Sequence, residues 1–399
     1  MLIVDDSPTF QSYVSALLED AGFEPIVFSN HAETIDFLET KPSLLCSVLD
    51  YCLPDAPRGE VIDTVLRAGH RAIVLTGNSD TNLREELLQK GIVDYILKDS
   101  AVSLAFLTPL LTRLVHNMNK TALVVDDSSA ITQYLTELLE RFYLNVITAS
   151  DGMAALEAME HNHIDIVITD NDMPHMTGLE LTQHLRMEKN RDELAIIGLS
   201  ASTHSEQIPQ FLKAGANDFL NKPFNQEELY CRIHTLLDMQ DARQKLYFLA
   251  NRDELTGLWN RRYFFNFAAD HPSNSKTLAI IDIDHFKKIN DTYGHEGGDN
   301  VLKVFGKFLA SAFSSALPAR LGGEEFVVLS TGNKDVFLAE LEAFRVQTEN
   351  TPINYENQDI RFTISIGAAS GSDQLPHLLK QADNKLYAAK KQGRNLLIL

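Results

Sequence analysis

The sequence contains an internal repeat, which strongly limits the folds that are open to the chain. The hexapeptide LIVDDS at residues 2–7 returns as LVVDDS at residues 123–128, an offset of 121 residues. The rest of the unit returns in the same order: SVLDYCLPD matches VITDNDMPHMTG, IVLTG matches IGLSAS, and DYILKD matches DFLNKP. The first 240 residues therefore comprise two copies of one unit, each large enough to be a domain.

Each copy of the unit alternates two hydrophobic patterns. Short β-branched runs are followed by segments of helical periodicity, such as QSYVSALLEDAGF in the first copy and ITQYLTELLERF in the second. This alternation is typical of βαβ units on a parallel sheet. We predict one doubly wound, parallel-sheet α/β domain in residues 1–118 and a second in residues 121–240.

A long helix is predicted to follow the second copy. Residues 225–251 have a continuous helical pattern, with apolar Leu229, Ile233 and Leu236 at spacings of four and three. This spacing is typical of a signalling helix that joins domains, or of a short parallel coiled coil. Residues 241–399 share no repeat with the first two units, and we expect them to form a third domain.

The charge balance argues against a nucleic-acid partner. The 399 residues carry 35 basic and 55 acidic side chains, a formal net charge of −20, and surplus carboxylates oppose the approach of a phosphate backbone. The surplus lies in the repeat, because residues 1–240 hold 16 basic and 36 acidic side chains and residues 241–399 hold 19 of each. The third domain, neutral on balance, can therefore still admit a phosphate ligand.

The hydrophobic pattern argues against a membrane protein. Hydrophobic residues make up 44% of the chain, which is enough for cores of ordinary size. No apolar run reaches the roughly 18 residues of a membrane helix, and the N-terminus MLIVDDSPTF lacks the basic and apolar regions of a signal peptide. We expect a cytoplasmic protein with no membrane segment.

Acidic side chains follow several predicted strands of the repeat. They are Asp5, Asp6 and Asp50 in the first copy and Asp126, Asp127 and Asp170 in the second. Because parallel strands end in one crevice, these carboxylates are expected to converge there. Packed carboxylates repel one another unless a hard cation such as Mg²⁺ lies among them. Further strand ends supply a hydroxyl and a lysine that suit a phosphoryl group, namely Thr76 and Lys98, then Ser200 and Lys222.

The repeated unit resembles the receiver domain of response regulators, since five positions match in order in both copies. The resemblance implies a flavodoxin-like fold, Mg²⁺ held by the acid pairs, and phosphorylation of Asp50 and Asp170 by a cognate histidine kinase or phosphotransfer protein. Which copy receives the phosphoryl group stays open. The remaining family positions that contact the phosphoryl group or switch with it are Thr76, Lys98 and Tyr95 in the first copy and Ser200, Lys222 and Phe219 in the second.

The two copies differ after the lysine. Pro223 follows Lys222, as is usual in receiver domains, whereas Asp99 follows Lys98. The peptide after this lysine is often cis in the family, and a cis peptide is essentially restricted to proline. We therefore expect it in the second copy and not in the first.

Two acidic segments in the third domain indicate a metal site. The strand pattern of TLAIIDIDHFKKIND ends at Asp282 and Asp284. Some forty residues later, ARLGGEEFVVLS has the pattern of two strands around a tight Gly-Gly turn, followed at once by Glu324 and Glu325. Acids on a strand end and on a hairpin turn can together hold one or two divalent cations, as phosphoryl and nucleotidyl transfer require.

The third domain resembles the GGDEF family of diguanylate cyclases. The segments NRDELTGLWNRR, DIDHFKKINDTYGHEGGDNVL, GGEEF, TISIG and DNKLYAAKKQGRN match that family in order. The resemblance implies an α/β nucleotidyl-cyclase-like fold and condensation of two GTP into cyclic di-GMP and two pyrophosphates, with Mg²⁺ or Mn²⁺. It also implies a homodimer, because each domain holds one GTP and the two substrates must react with each other.

The resemblance assigns roles to individual residues. The metal ligands are Asp282, Glu324 and the carbonyl of Ile283; Glu324 is also the candidate acceptor of the 3′-hydroxyl proton, and Glu325 is a weaker metal candidate. The guanine contacts are Asn290 and Asp299, and a carboxylate suits guanine because N1 and the exocyclic amine both donate. The triphosphate contacts are Lys287, Lys390, Arg394 and the amides of His285 and Phe286. The spacing of Lys390 and Arg394 predicts that they share one helix face.

One further expectation and two alternative functions complete the interpretation of the sequence. Product-inhibited members carry an RxxD pair where this chain has residues 313–316, FSSA, so we expect no feedback inhibition through that position. Two other functions stay open beside the active, phosphorylation-controlled cyclase. One is a catalytically weak GTP-binding adaptor that signals by contact, and the other is a phosphorelay receiver protein.

Overall fold

The computed structural model describes residues 1–77, 81–201, 207–270, 276–372 and 374–399. The chain divides into two compact units, Met1–Ala242 and Arg243–Leu399. The first unit contains two parallel sheets and the second contains a mixed sheet.

The first domain of the repeat is a parallel sheet in the order β2-β1-β3-β4-β5. Its strands are β1 Leu2–Val4, β2 Ile26–Phe28, β3 Ser47–Asp50, β4 Ala72–Thr76 and β5 Asp94–Leu97. Its helices are α1 Pro8–Asp20, α2 His31–Glu39, α3 Glu60–Arg67, α4 Thr81–Lys90, α5 Ala101–Ala105 and α6 Leu107–Asn117. Strands β1, β3 and β4 are buried along their whole length, because helices cover both faces of a doubly wound sheet.

The second domain repeats this arrangement, with the sheet order β7-β6-β8-β9-β10. Its strands are β6 Thr121–Val125, β7 Asn145–Ala149, β8 Ile166–Asp170, β9 Ala195–Ala201 and β10 Asp218–Lys222. Its helices are α7 Ser129–Arg141, α8 Gly152–His161, α9 Gly178–Glu188 and α10 Gln207–Ala214, followed by the long helix α11 Gln226–Asn251. A capping box between Thr177 and Glu180 starts α9 directly after the strand-end loop.

The two domains of the repeat share one hydrophobic core. Leu110 and Leu114 of α6 lie in the same buried cluster as Leu139 of α7 and Ile233 of α11. Backbone groups are paired across this boundary as well, because the side-chain amide of Gln226 donates to the carbonyls of Ile92 and Val93, each at 2.9 Å. The two domains therefore pack as one unit.

The shared core corrects the prediction of a coiled-coil seam. Leu229 and Ile233 are completely buried within the first unit, and Leu236 packs against the same cluster. Their spacing of four and three therefore serves packing inside this chain, although the prediction of a continuous helix over these residues is confirmed. Exposed apolar side chains occur later on α11, at Leu246 and Tyr247.

The third domain has a mixed sheet in the order β11-β13-β14-β12-β17-β18. Its strands are β11 Trp259–Asn260, β12 Lys276–Ile283, β13 Leu317–Gly322, β14 Glu325–Ser330, β17 Ile364–Gly371 and β18 Leu397–Ile398, with a separate hairpin of β15 Ile353–Tyr355 and β16 Gln358–Ile360. Its helices are α12 Arg261–Asp270, α13 Phe286–Ala312, α14 Lys334–Asn350 and α15 Leu375–Lys391. The central strand β12 is buried throughout and pairs antiparallel with β14 and β17.

The predicted fold class is confirmed. Two doubly wound parallel-sheet domains precede an α/β domain with a mixed sheet. Among the described residues, no helix is both long and apolar enough to cross a bilayer.

Candidate functional site

The first parallel sheet brings the predicted acidic residues together. Carboxylate oxygens of Asp5, Asp6 and Asp50 all lie within 4.8 Å of one another, an arrangement that suits a hard divalent cation. Lys98 reaches into the same crevice, with its ammonium nitrogen 2.5 Å from Asp5 Oδ2 and 2.7 Å from Asp50 Oδ2. Burial raises the pKa of Asp50, and the contact with Lys98 opposes that rise. The crevice thus holds a partly desolvated carboxylate beside a fixed positive charge.

The second parallel sheet repeats the lysine bridge. Lys222 Nζ lies 2.7 Å from Asp126 Oδ2 and 2.7 Å from Asp170 Oδ1. Burial raises the pKa of Asp170, and Lys222 opposes that rise, as in the first domain. Asp127 is exposed beside this pair. Within the described ranges, the grouping of three carboxylates within 4.8 Å of one another occurs in the first domain and not in the second.

The predicted switch positions lie at the ends of neighbouring strands. Thr76 ends β4 and Ser200 lies near the end of β9, and both are buried. The two aromatic positions differ, because Phe219 is buried whereas Tyr95 is half-buried, with the Arg84 guanidinium 5.8 Å from its ring centroid. The Lys222–Pro223 peptide is cis, as predicted.

The third domain brings Asp282 next to the Gly-Gly hairpin. Asp282 pairs with Glu325 in the β12–β14 register, and the N–H of Ile283 donates to the Glu324 carbonyl at 3.3 Å. Asp282 is 5% exposed, Glu324 is half-buried and Glu325 is exposed. The turn therefore places Glu324 and Glu325 at the end of β12, the strand that carries Asp282. Carboxylate and carbonyl oxygens are the ligands that Mg²⁺ and Mn²⁺ prefer, so Asp282, Glu324 and the Ile283 carbonyl are the groups here that could hold such an ion.

A lysine from the C-terminal helix completes this group. Lys390 Nζ lies 2.7 Å from Asp282 Oδ2. The pKa of Asp282 is raised to about 6, chiefly by burial; the contact with Lys390 opposes the rise, and the charges of Glu324 and Glu325 contribute to it. A cation is thus already held against the buried carboxylate, which shows that this position favours positive charge.

An arginine that the sequence analysis missed holds the hairpin turn. Arg320 Nε and Nη2 donate to the Gly323 carbonyl at 3.0 and 2.8 Å, and its Nη1 lies 2.9 Å from Asp253 Oδ1. The Asp253 carboxylate also accepts from the backbone and the hydroxyl of Thr256. Arg320 therefore fixes the turn that carries Glu324. Little in the sequence indicated this role for Arg320. Only its partner Asp253 lies in a segment that matches the GGDEF family.

A break in α13 shapes the predicted guanine pocket. Gly294 has φ 74° and ψ 172°, which interrupts the helix between Asn290 and Gly298. A Cβ atom at Gly298 would overlap Asn290 Oδ1, so the carboxamide lies directly on this glycine. Eight residues of straight helix would advance about 12 Å, and the break is therefore required for this contact. Asp299 is the next residue, exposed to solvent.

Three of the predicted phosphate contacts lie where α13 begins. His285 has φ 56° and precedes the first residue of α13, Phe286, whose N–H belongs to the first helical turn and has no intrahelical partner. Such amides bind anions. Lys287 is exposed on the same turn.

The placement of Arg394 corrects the prediction that it shares a helix face with Lys390. Helix α15 ends at Lys391, and Gly393 turns the chain with φ 117°. The N–H of Arg394 then donates to the Ala389 carbonyl at 3.0 Å, the bond of a Schellman cap. Arg394 therefore lies in the turn after the helix, because a glycine in the left-handed region ended the helix before the spacing of four was complete.

Comparison with known proteins agrees with this architecture. Residues 250–396 match the family model of the diguanylate cyclase GGDEF domain, and residues 1–105 and 122–234 each match that of the response regulator receiver domain. A solved two-component response regulator/GGDEF domain protein is 35% identical, covers 60% of this chain and 98% of its own, and superposes with a TM-score of 0.55.

Two curated relatives match parts of the chain. Response regulator PleD of Caulobacter vibrioides is 34% identical over 302 residues, 69% of this chain and 65% of PleD. Diguanylate cyclase DgcM of Escherichia coli is 37% identical over 182 residues, 43% of each chain. The chain thus matches somewhat less than two thirds of the length of PleD. With two receiver domains and a GGDEF domain in this order, the chain belongs to the response regulators that carry a GGDEF domain.

Proposed function

We propose that the chain is a diguanylate cyclase controlled by phosphorylation of its receiver domains. The observation that carries this proposal is the convergence of Asp282 and the hairpin glutamates on one strand end, with Lys390 held 2.7 Å from Asp282. Nucleotidyl transfer to a nucleoside triphosphate needs this combination of metal-binding carboxylates and fixed cations.

The site would bind the guanine of GTP at one end and the triphosphate at the other. Asn290 and Asp299 would hydrogen-bond the guanine, and the absence of a Cβ at Gly298 leaves room for the Asn290 carboxamide. Lys287, Lys390 and Arg394 would contact the triphosphate, together with the backbone N–H groups of His285 and Phe286. Mg²⁺ or Mn²⁺ bound by Asp282, Glu324 and the Ile283 carbonyl would supply electrostatic stabilisation of the charge that develops on the phosphate.

The proposed reaction joins two GTP molecules head to tail. The 3′-hydroxyl oxygen of each GTP bonds to the α-phosphorus of the other, the bond from that phosphorus to the β-phosphate bridging oxygen breaks, and two pyrophosphates leave. Glu324 accepts the proton of the 3′-hydroxyl. Because one domain binds one GTP, the reacting domains come from two chains, and a homodimer is required.

The receiver domains would control how often two cyclase domains meet. A histidine kinase or phosphotransfer protein would phosphorylate Asp50 or Asp170. The 2.7 Å contacts of Lys98 with Asp50 and of Lys222 with Asp170 support a role for these lysines in binding the phosphoryl oxygens. The added charge would change the receiver surface and favour dimers, which raises the effective concentration of the second active site.

The test is product formation from GTP and Mg²⁺ with and without beryllofluoride, a mimic of the phosphoryl group. We expect cyclic di-GMP to form and its rate to rise with the mimic. The Asp50→Asn and Asp170→Asn variants then identify the controlling receiver, because the variant at that receiver loses the stimulation. GTP binding without any product, with or without the mimic, would instead support a GTP-binding adaptor.

Two variants test the assignment of the active site. Asp282→Asn and Glu324→Gln should each reduce product formation by at least about 100-fold, because both remove metal-binding charge. Glu340→Gln is the matched control, since Glu340 is exposed on α14. Full turnover in either site variant would contradict the assignment. An unchanged cellular phenotype in Glu324→Gln would favour a phosphorelay protein.

We also propose that product does not inhibit this enzyme through residues 313–316. Phe313 is buried against Phe337 and Phe344, so the first of these positions serves the core. Inhibition by cyclic di-GMP that disappears when residues 314–316 are replaced would contradict this proposal.

A further inference from the structure

Asp284 is a buried carboxylate for which the proposed reaction has no direct use. It follows the last residue of β12 and is 3% exposed. Its Oδ1 accepts a hydrogen bond from the Ser365 hydroxyl at 2.7 Å, and its Oδ2 accepts one from the Thr363 hydroxyl at 2.7 Å. A buried carboxylate is retained at low energetic cost only when such partners satisfy it.

A third hydrogen bond connects Asp284 to the end of the chain. The backbone N–H of Asn395 donates to Asp284 Oδ2 at 3.0 Å. Asn395 is the last of three consecutive residues with positive φ: Gly393 at 117°, Arg394 at 66° and Asn395 at 49°. Two of these are not glycine, and such backbone conformations persist only when surrounding contacts hold them.

The same turn is held from its other side. Arg345 Nη1 of α14 donates to the Asn395 side-chain oxygen at 2.6 Å. Asp284 thus hydrogen-bonds the backbone of Asn395, and Arg345 hydrogen-bonds its side chain. The residue before it, Arg394, is one of the proposed triphosphate contacts.

Asp284 also borders the other phosphate-binding segment. It directly precedes His285 and Phe286, and its own N–H donates to the Thr363 carbonyl at 2.9 Å. Asp284 therefore accepts a hydrogen bond from the turn that carries Arg394. It also directly precedes the turn that presents the backbone amides of His285 and Phe286. These two segments are far apart in the sequence and must be aligned for one ligand to contact both.

We propose that Asp284 is a positioning residue for the triphosphate of GTP, acting through the turn at residues 393–395 on Arg394. This proposal rests on the proposed function, since it assumes that GTP binds at this site. The direction in which GTP affinity changes distinguishes this positioning role from a simple charge effect. A carboxylate near a triphosphate repels it, so loss of charge alone would tighten binding, whereas loss of the hydrogen bond to Asn395 would weaken it.

The experiment measures binding of 3′-deoxy-GTP with Mg²⁺ to the full-length protein by calorimetry. This analogue lacks the attacking hydroxyl, so binding is observed without turnover. We expect Asp284→Ala and Arg394→Ala each to weaken binding by about tenfold, as loss of a hydrogen bond to a charged group would. If Asp284 acts through Arg394, the double variant should bind no more than about twofold more weakly than Arg394→Ala alone.

Three further variants separate positioning from general loss of structure. Asp284→Asn keeps an oxygen that can accept from Asn395 and should stay within about twofold of the unaltered protein. Ser365→Ala removes only the bond to Oδ1 and should also bind normally. If Asp284→Ala does not fold, Arg345→Leu loosens the same turn from the other side, and its effect should likewise vanish in the Arg394→Ala background.

Each result has a definite meaning. Additive effects of Asp284→Ala, or of Arg345→Leu, with Arg394→Ala would overturn the positioning role, as would binding by Asp284→Ala that equals or exceeds that of the unaltered protein. Binding of 3′-deoxy-GTP without formation of cyclic di-GMP from GTP would overturn the proposed cyclase function alone. Failure of the unaltered protein to bind 3′-deoxy-GTP would overturn both.

Discussion

The ammonium nitrogen of Lys390 lies 2.7 Å from Oδ2 of Asp282, the buried carboxylate at the end of the central strand β12. Lys390 stands on α15, near the C-terminus, and Asp282 lies beside the hairpin that carries Glu324. A metal ion that binds Asp282 must therefore compete with this ammonium group. The lysine is then available for a different partner, which we propose to be the triphosphate.

Replacement of Lys390 should move metal affinity and activity in opposite directions. In Lys390→Met, the concentration of Mn²⁺ that gives half-maximal product formation at pH 8 and saturating GTP should fall several-fold, because the competing cation is gone. The maximal rate should fall by about tenfold or more, because a triphosphate contact is lost. Lys391→Met is the control, since the Lys391 ammonium lies 4.5 Å from the Tyr387 ring centroid instead. An unchanged requirement for Mn²⁺ would contradict the competition.

The metal requirement of the unaltered protein should depend on pH. The pKa of Asp282 is raised to about 6, chiefly by burial, and a carboxyl must lose its proton to bind a cation. Below pH 6 the half-maximal Mn²⁺ concentration should therefore rise by about tenfold per pH unit, whereas it should be nearly constant above pH 7. Because Lys390 lowers this pKa, the rise should begin at a higher pH in Lys390→Met. A requirement that stays flat from pH 5 to pH 8 would contradict this.

The break in α13 predicts that Gly298 cannot be replaced. In Gly298→Ala the new methyl group would overlap Asn290 Oδ1 and displace the proposed guanine contact. We expect the KM for GTP to rise by about tenfold or more, which is the scale of a lost hydrogen bond in a specificity pocket. Gly332→Ala is the matched control, because a Cβ at Gly332 meets only Ser330 Oγ at 3.5 Å. A normal KM in Gly298→Ala would exclude Asn290 from guanine binding.

The boundary between the receiver domains contains a carboxyl that should affect stability. Asp94 lines a cavity of about 170 Å³ between β5 and α11, and burial raises its pKa to about 7. A folded-state pKa above the unfolded value means that ionisation destabilises the fold; this destabilisation is complete above about pH 7 and vanishes as the pH falls towards 4. Asp94→Asn should therefore raise the melting temperature at pH 8 and have little effect at pH 4.5.

The repeat supplies the control for this prediction. Asp218 begins β10 as Asp94 begins β5, but its Oδ2 accepts from Arg232 Nη1 at 2.8 Å. Asp218→Asn should leave the melting temperature at pH 8 unchanged or slightly lower, because an ion pair is lost. A rise in both variants, or in neither, would contradict the role of burial at Asp94.

Periodicity and motif order by themselves determined the fold class and most of the proposed site. The alternation of strand and helix patterns specified two parallel-sheet domains, because hydrophobic periods of 2 and 3.6 residues are local properties of the chain. The acids at strand ends specified the crevices for the same reason, since a sheet places its strand ends together whatever the loops do. The bridges from Lys98 and Lys222 to these acids followed from that geometry.

Only the tertiary structure decided which distant groups meet. An apolar stripe does not reveal what it will pack against, and Leu229 and Ile233 are buried in the core that the two receiver domains share and not in a pair of helices. A spacing of four does not reveal that Gly393 ends α15 before Arg394. The contacts of Lys390 with Asp282, Arg320 with Gly323 and Asp284 with Asn395 each join segments whose approach depends on the packing of the whole domain. Such pairings follow from the arrangement of helices on the sheet, and no local pattern encodes them.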